Sequence, residues 1–142
     1  MRDGVFVEYD PNEDVKKTIN AEGCIVCPGL IDGHTHVYYE GTGVLSTKAD
    51  VVNPPNCVTS VVDAGSTSAW NFESFYRTEI INSVTDIYAM LHPCEFGVHI
   101  PPAEEIEDPR GFNTAEILRM FKKYPEVLKG LKIRMSKGTA GK

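Results

Sequence analysis

The feature that most constrains the fold is a regular alternation of apolar strand patterns and helix patterns along the chain. Val58–Val62 is a β-branched run without a polar face, which is typical of a strand covered on both sides. The other predicted strands are Cys24–Ile31, Asp86–Leu91 and Leu128–Ser136. Asn71 and Asn113 each precede a helical stripe of apolar residues as predicted N-caps. Strands and helices in this order predict an α/β fold with a parallel sheet.

The composition excludes several functional classes. The 142 residues include 14 Lys and Arg against 20 Asp and Glu, a formal net charge of −6, with no basic cluster for a nucleic-acid surface. No apolar run approaches the roughly 20 residues of a membrane helix, and no secretory leader is recognised. We therefore expect a cytoplasmic protein with free thiols, and the length predicts a single domain.

The four cysteines offer a first candidate site, because Cys24 and Cys27 form a C-x-x-C pair. On a strand, residues three apart point to opposite faces, so these two thiols are not expected to chelate one ion. No second pair follows at zinc-finger spacing. We therefore expect small buried apolar side chains here.

A stronger candidate is the H-x-H pair His34 and His36, which directly follows the first predicted strand. Alternation along an extended chain projects both imidazoles to one face, where they can bind one ion at about 2.0–2.1 Å. Asp32 lies on the same face, and Gly33 permits a close backbone approach. Two hydrogen-bonded loop histidines are the competing interpretation. The position favours the ligand hypothesis, because ligands collect at the carboxyl ends of strands in α/β proteins.

Two further strand ends carry polar residues. Along the last strand, alternation places Lys132, Arg134 and Ser136 on one face and three apolar residues on the other. The polar face either points inward with partners or lies in water at a sheet edge, and the pattern favours neither. The second strand ends in Asp63-Ala-Gly-Ser66, for which an ordinary βα loop is the better interpretation.

The segment Val26-Cys-Pro-Gly-Leu-Ile-Asp-Gly-His-Thr-His36 resembles the opening strand of the amidohydrolase superfamily, metal-dependent hydrolases on a (β/α)₈ barrel. Val61–Ser66 and Leu131–Ser136 are similar to its dihydroorotase-like branch, and within it to deacetylases of N-acyl amino acids. The resemblance implies that residues 23–142 form the first half of the barrel, strands 1 to 4, and that residues 1–22 are a remnant of a small β-sandwich. A whole barrel typically takes about 250 residues, so the length indicates a fragment.

The resemblance also implies a site. His34 and His36 match the strand-1 metal ligands, and Lys132 matches a strand-4 lysine whose carbamate bridges two divalent metals, usually zinc. The implied cofactor is therefore one or two divalent ions. Carboxylation would turn a buried cation into an anionic oxygen ligand, which favours the inward orientation of Lys132. Gly65, Ser66 and Arg134 are the implied substrate-binding residues.

The match has departures from the family pattern. The family's histidines on strands 5 and 6 and its general-base aspartate on strand 8 have no counterpart in these 142 residues, so no complete catalytic set is expected within this chain. His92 and His99 do not have the spacing of the missing ligands, and His92 stands where this branch more often has an amide. Cys57 replaces a turn glycine.

The function implied by the resemblance is metal-dependent hydrolysis of amide or ester bonds in small acylated substrates, such as N-acyl amino acids, by a metal-activated water. The exposed strand edges of half a barrel predict a partner, either a second copy or a C-terminal half. The alternative is a small, flavodoxin-like binding module without enzyme activity, in which the H-x-H pair is incidental.

Overall fold

The fold is built on a parallel β-sheet. A computed structural model describes residues 4–94, 97, 110 and 112–134, and four parallel strands in this part of the chain form one sheet in the order β1-β2-β3-β4. The strands are β1, Leu30–Thr35; β2, Val58–Thr67; β3, Asp86–Leu91; and β4, Leu128–Leu131. Each strand pairs with its neighbour in sequence, as in a (β/α) barrel, whereas a flavodoxin-like sheet has the order 2-1-3. The predicted parallel α/β fold is confirmed, and the flavodoxin-like topology is wrong.

Short helices connect the strands. Within the described residues they are α1, Tyr39–Thr42; α2, Ala49–Val52; α3, Phe72–Thr78; and α4, Thr114–Lys123. The predicted cap of α4 is confirmed, since Asn113 Oδ1 accepts a hydrogen bond from the Glu116 N–H at 3.1 Å. α3 starts directly after Asn71 as predicted, but the Asn71 side chain accepts a bond from the Ser68 N–H and does not cap the helix. No described helix combines the length and the apolar character needed to cross a membrane.

The core lies between the sheet and helices α3 and α4. Val61 of β2 and Leu91 of β3 are buried in one cluster with Phe72 and Phe75 of α3. The Phe72 ring centroid lies 5.2 Å from that of Tyr124, the residue that follows α4, so this aromatic contact joins the two helices. The helix layer therefore holds one face of the sheet and sets the position of its strand ends.

The first predicted strand has the wrong boundaries. The sequence predicts it over Cys24–Ile31, whereas β1 begins at Leu30 and contains the first histidine of the H-x-H pair. Residues 6–29, all of them described, form turns and irregular chain with no helix or strand. Ile25, in this irregular chain, is 93% exposed and lacks the packing that stabilises a strand. Ile31 lies on β1, an edge strand of the described sheet, and is 71% exposed. The domain boundary between residues 22 and 23 stays a prediction.

The cysteines occupy two environments. Cys94 is buried, whereas Cys24, Cys27 and Cys57 are exposed. The expected burial of Cys24 and Cys27 is therefore wrong, because both precede β1 in irregular chain outside the core.

The Asp50 carboxylate ties α2 to the turn before β3. It accepts hydrogen bonds from the backbone N–H groups of Val84 and Thr85, at 3.0 and 2.9 Å, and from the hydroxyls of Ser83 and Thr85. Desolvation raises the pKa of this carboxyl, but the four hydrogen bonds outweigh it and lower the pKa from 3.8 to about 2. The native turn therefore favours ionised Asp50.

We expect Asp50→Asn to lower the free energy of unfolding by about 1 kcal/mol, because the amide has one acceptor oxygen and solvent screens this exposed side chain. Since the folded-state pKa lies below the unfolded value, the contribution is present above about pH 4 and is lost as the pH falls towards about 2. Urea denaturation of both proteins from about pH 6 downwards measures the difference. Asp86→Asn, at the exposed start of β3, is the control. A difference that does not shrink below about pH 4 would contradict the prediction.

Cys57 has a backbone conformation that ordinarily belongs to glycine. Its φ of 61° and ψ of 18° lie in the left-handed region, and no other described non-glycine residue has a positive φ. Its carbonyl accepts a hydrogen bond from the Leu30 N–H at 2.8 Å, so this turn also aligns β1 beside β2.

We expect Cys57→Gly to raise the free energy of unfolding by about 1 kcal/mol, because glycine adopts this conformation without strain. Chemical denaturation measures the change. Cys27→Gly, which removes an exposed thiol from irregular chain, is the control. Equal stabilities for the two variants would show that the backbone conformation has no influence.

Candidate metal centre

The candidate site lies where the carboxyl ends of the four strands meet. The register pairs Thr35 of β1 with Asp63 of β2, and Leu91 of β3 with Leu131 of β4. The residues at and beyond these positions therefore lie along one edge of the sheet, which is where parallel α/β proteins bind their ligands. The polar residues at this edge include His34, His36, Asp63, Ser66, His92 and Lys132.

The three residues predicted as metal ligands come together at this edge. Lys132 Nζ lies 3.5 Å from His34 Nε2, although 98 residues separate the two in sequence. The imidazole rings of His34 and His36 have centroids 5.9 Å apart and planes at 84°. His34 is exposed and His36 is half-buried, so the cluster opens to solvent on one side.

His36 is held by a contact from β2. Its Nδ1 lies 2.9 Å from Ser66 Oγ, which leaves Nε2 as the nitrogen that can face an ion. Desolvation lowers the pKa of His36 below its usual value, the negative charge of Asp63 opposes this, and His34 and Lys132 reinforce it. The environment therefore favours neutral imidazole, the form that binds metals.

Asp63 is a site residue that the interpretation of the sequence missed. It is fully buried, its Oδ1 accepts a bond from the Ser66 N–H at 2.7 Å, and its Oδ2 accepts one from the Val37 N–H at 2.8 Å. Burial raises the pKa of the carboxyl, while these two donors, the Ser66 hydroxyl and the charge of His36 act against the rise. The interpretation as an ordinary loop is wrong, because β2 continues to Thr67 and carries Asp63 inside the strand. The available signal was a carboxylate at the end of an apolar β-branched run, where burial requires dedicated donors.

The predicted substrate-binding residues occupy different places. Ser66 is fully buried against His36. Gly65 has a φ of +86°, and a Cβ there would lie 2.9 Å from both Cβ and Cγ of Lys132. Both residues therefore adjoin predicted metal ligands, while Arg134 is half-buried beyond the end of β4. Their roles toward a substrate stay predictions.

The segment after β4 has the orientation that the alternation pattern left open. Lys132 and Arg134 are half-buried, whereas Leu131 and Ile133 are 50% and 51% exposed. β4 is an edge strand of the described sheet, as the second interpretation expected, but the polar face is not fully in water, because Gly65 leaves room for the Lys132 stem to pack against β2. Two residues considered from the sequence, Ser136 and His99, lie outside the described residues.

The donor set fits a metal ion if Lys132 is modified. In the described part of the chain, no three His, Cys, Asp or Glu side chains cluster so that they could hold an ion. The cluster instead offers two imidazoles and one amine. Imidazole nitrogens are zinc ligands, but a protonated amine has no lone pair to offer. As a carbamate, Lys132 would present anionic oxygens and complete a set of three ligands.

Comparisons with known proteins give this cluster a context. No protein-family model matches the sequence. A deacetylase of Agrobacterium fabrum is 32% identical over 119 residues, which cover 83% of the chain and 29% of that protein. A deacetylase of Enterococcus faecalis is 28% identical over 127 residues, which cover 89% of the chain and 33% of that protein. The chain therefore spans about a third of the length of these curated relatives.

Solved structures give a concordant result. A crystal structure of a dihydroorotase superposes with a TM-score of 0.74 and 30% identity, covering 80% of this chain and 31% of that one. A crystal structure of an adenine deaminase superposes with a TM-score of 0.71 and 25% identity, covering 80% of this chain and 30% of that one. Sequence and fold similarity therefore extend over most of this chain and about a third of each structure.

Proposed function

The chain belongs to the amidohydrolase superfamily, and we propose that His34, His36 and Lys132 bind one or two divalent metal ions, zinc above all, in a hydrolase of amide or ester bonds. The proposed substrates are small acylated molecules such as N-acyl amino acids, in keeping with the deacetylases among the relatives. In this proposal, carboxylation of Lys132 completes the set of metal ligands.

One observation carries this proposal. Lys132 follows β4 and the H-x-H pair lies at the end of β1, at opposite sides of the described sheet, yet Lys132 Nζ lies 3.5 Å from His34 Nε2. A lysine that served only as a solvated surface cation would extend into water, whereas the Lys132 stem lies against Gly65 and its Nζ lies beside an imidazole. The convergence is explained if the three side chains share an ion.

Each of these residues would have a separate role at the metal centre. His34 and His36 offer nitrogen ligands, and Lys132 offers carbamate oxygens. The bound metal would polarise an acyl carbonyl and activate water at neutral pH. Arg134, a half-buried cation after β4, is the proposed donor to a substrate carboxylate, which guanidinium binds in bidentate geometry.

The described sheet has two unpaired edges. β1 and β4 are both edge strands of the described sheet, and apolar side chains at these edges, Leu30 and Ile133, are about half exposed. Unpaired edges of this kind are templates for pairing. We propose that a second copy or a C-terminal half completes the barrel, and a monomer in light scattering at micromolar concentration would contradict the first of these. The cytoplasm is the proposed compartment, since three thiols are exposed.

The metal is tested on the 142-residue chain by elemental analysis after purification and by zinc titration in bicarbonate buffer. We expect near-stoichiometric zinc in the native protein and a loss of at least about tenfold in affinity in Lys132→Ala and in the double variant His34→Ala/His36→Ala. Lys129→Ala is the matched control, because Lys129 lies on β4 but places its Nζ over the Tyr88 ring.

Three outcomes would overturn the proposal. A folded native chain that binds no zinc would favour the binding-module alternative. Zinc binding that survives all three site substitutions would place the metal elsewhere. Equal losses in Lys129→Ala and Lys132→Ala would mean that Lys132 has no specific part in binding the metal.

A further inference from the structure

The carboxyl end of β2 contains a series of contacts that the three proposed metal ligands do not require. Asp63 and Ser66 are both fully buried. The backbone N–H of Val37, after β1, donates a hydrogen bond to Oδ2 of Asp63, and the backbone N–H of Ser66 donates one to Oδ1. Ser66 Oγ then lies 2.9 Å from His36 Nδ1. The Asp63 carboxylate thus binds the backbone of Ser66, and the Ser66 hydroxyl contacts the His36 imidazole.

We propose that Asp63 and Ser66 are positioning residues that keep the His36 proton on Nδ1 and its Nε2 lone pair directed at the metal. This inference rests on the proposed metal centre and adds two residues to it, neither of which would touch the ion.

The direction of the hydrogen bonds follows from the donor inventory. A histidine that binds an ion through Nε2 carries its proton on Nδ1. The bond from the Ser66 backbone N–H to the buried Asp63 carboxylate fixes the position of the Ser66 side chain beside that nitrogen. In that tautomer, Ser66 Oγ, 2.9 Å away, is the acceptor for the Nδ1–H of His36. Neutral imidazole has one proton, so Nε2 keeps its lone pair. Such outer contacts fix the tautomer and ring orientation of metal-binding histidines.

The neighbouring residue provides an internal comparison. Thr67 is also fully buried on β2, but its Oγ1 has no hydrogen-bond partner among the described residues. Both residues place a buried hydroxyl on β2, but only the Ser66 hydroxyl contacts His36. Thr67→Val removes a hydroxyl from the same place without touching His36.

The experiment measures zinc affinity of the full 142-residue chain by competition with a chromophoric chelator. We expect Ser66→Ala to weaken zinc binding by about 10- to 100-fold and Thr67→Val to leave it unchanged. Thermal melts of the metal-free proteins separate affinity from stability, because a purely structural role for Ser66 would lower the melting temperature and leave the zinc affinity as in the native chain. That result would overturn the proposal.

Histidine tautomers give a second readout that does not depend on zinc. In nitrogen-15 NMR spectra of the metal-free chain, we expect His36 to hold its proton on Nδ1, and Ser66→Ala to shift it toward the Nε2–H form. If the native chain binds no zinc, the metal centre fails, and the tautomer still tests the positioning role. If zinc binds and the His36 tautomer and affinity are the same in Ser66→Ala, the positioning role fails while the metal centre stands.

Discussion

Replacing Gly65 with alanine is expected to lower the free energy of unfolding by about 2–4 kcal/mol and to weaken zinc binding. Two causes add. Gly65 has a φ of +86°, and a residue with a side chain is strained in this conformation. The new Cβ would also lie only 2.9 Å from Cβ and Cγ of Lys132. These atoms are close to the lysine backbone, so they cannot move away by a rotation of the side chain as the flexible Nζ end could. The lysine stem must shift, and its Nζ moves with it away from His34.

The measurement is urea denaturation together with zinc titration of Gly65→Ala. Gly130→Ala is the matched control on β4, because a Cβ there meets nothing within 4 Å and its φ is not in the left-handed region. Alanine at that position should change the free energy of unfolding little or raise it slightly. Similar losses for the two variants would show that Gly65 makes no special room for Lys132.

Replacing Asp63 with asparagine, a change of one atom type at constant size, is expected to cost about 2–4 kcal/mol of stability. Each carboxylate oxygen of Asp63 accepts a backbone N–H, one from Ser66 and one from Val37. An amide has one oxygen, so in either flip its NH₂ group faces an N–H donor in a fully buried place. The bond from Val37 also links the end of β1 to β2, so its loss should loosen the H-x-H segment.

The effect of losing the second acceptor oxygen is measured by urea denaturation of Asp63→Asn, with Asp32→Asn as the control. Asp32 accepts a single bond, from the His34 N–H at 3.0 Å, which an asparagine oxygen can replace. The Asp32 variant should therefore lose well below about 1 kcal/mol. If Asp63→Asn were as stable as Asp32→Asn, the two backbone donors could not be what holds the buried carboxylate.

Local patterns predicted much of the fold. β3 has the predicted bounds, Asp86–Leu91, because a short apolar run between polar turns determines a strand without help from distant residues. α4 starts after Asn113 because the cap is made within four residues of chain. β1 shows the limit of such patterns, since the apolar run Cys24–Gly29 looks like a strand but lies in irregular chain at the edge of the described sheet. Whether an apolar run becomes a strand depends on what it can pair with.

The site shows a similar division. The sequence alone determined the alternation of strands and helices, the H-x-H pair at the first strand end and the resemblance that drew attention to Lys132. Only the tertiary structure decided that Lys132 lies beside His34, that Gly65 makes room for its stem, and that Ser66, bonded to Asp63 through its backbone, contacts His36. The physical reason is distance along the chain. Periodicity and capping act over a few residues, whereas contacts across 98 residues depend on strand order and register, which form only when the sheet assembles.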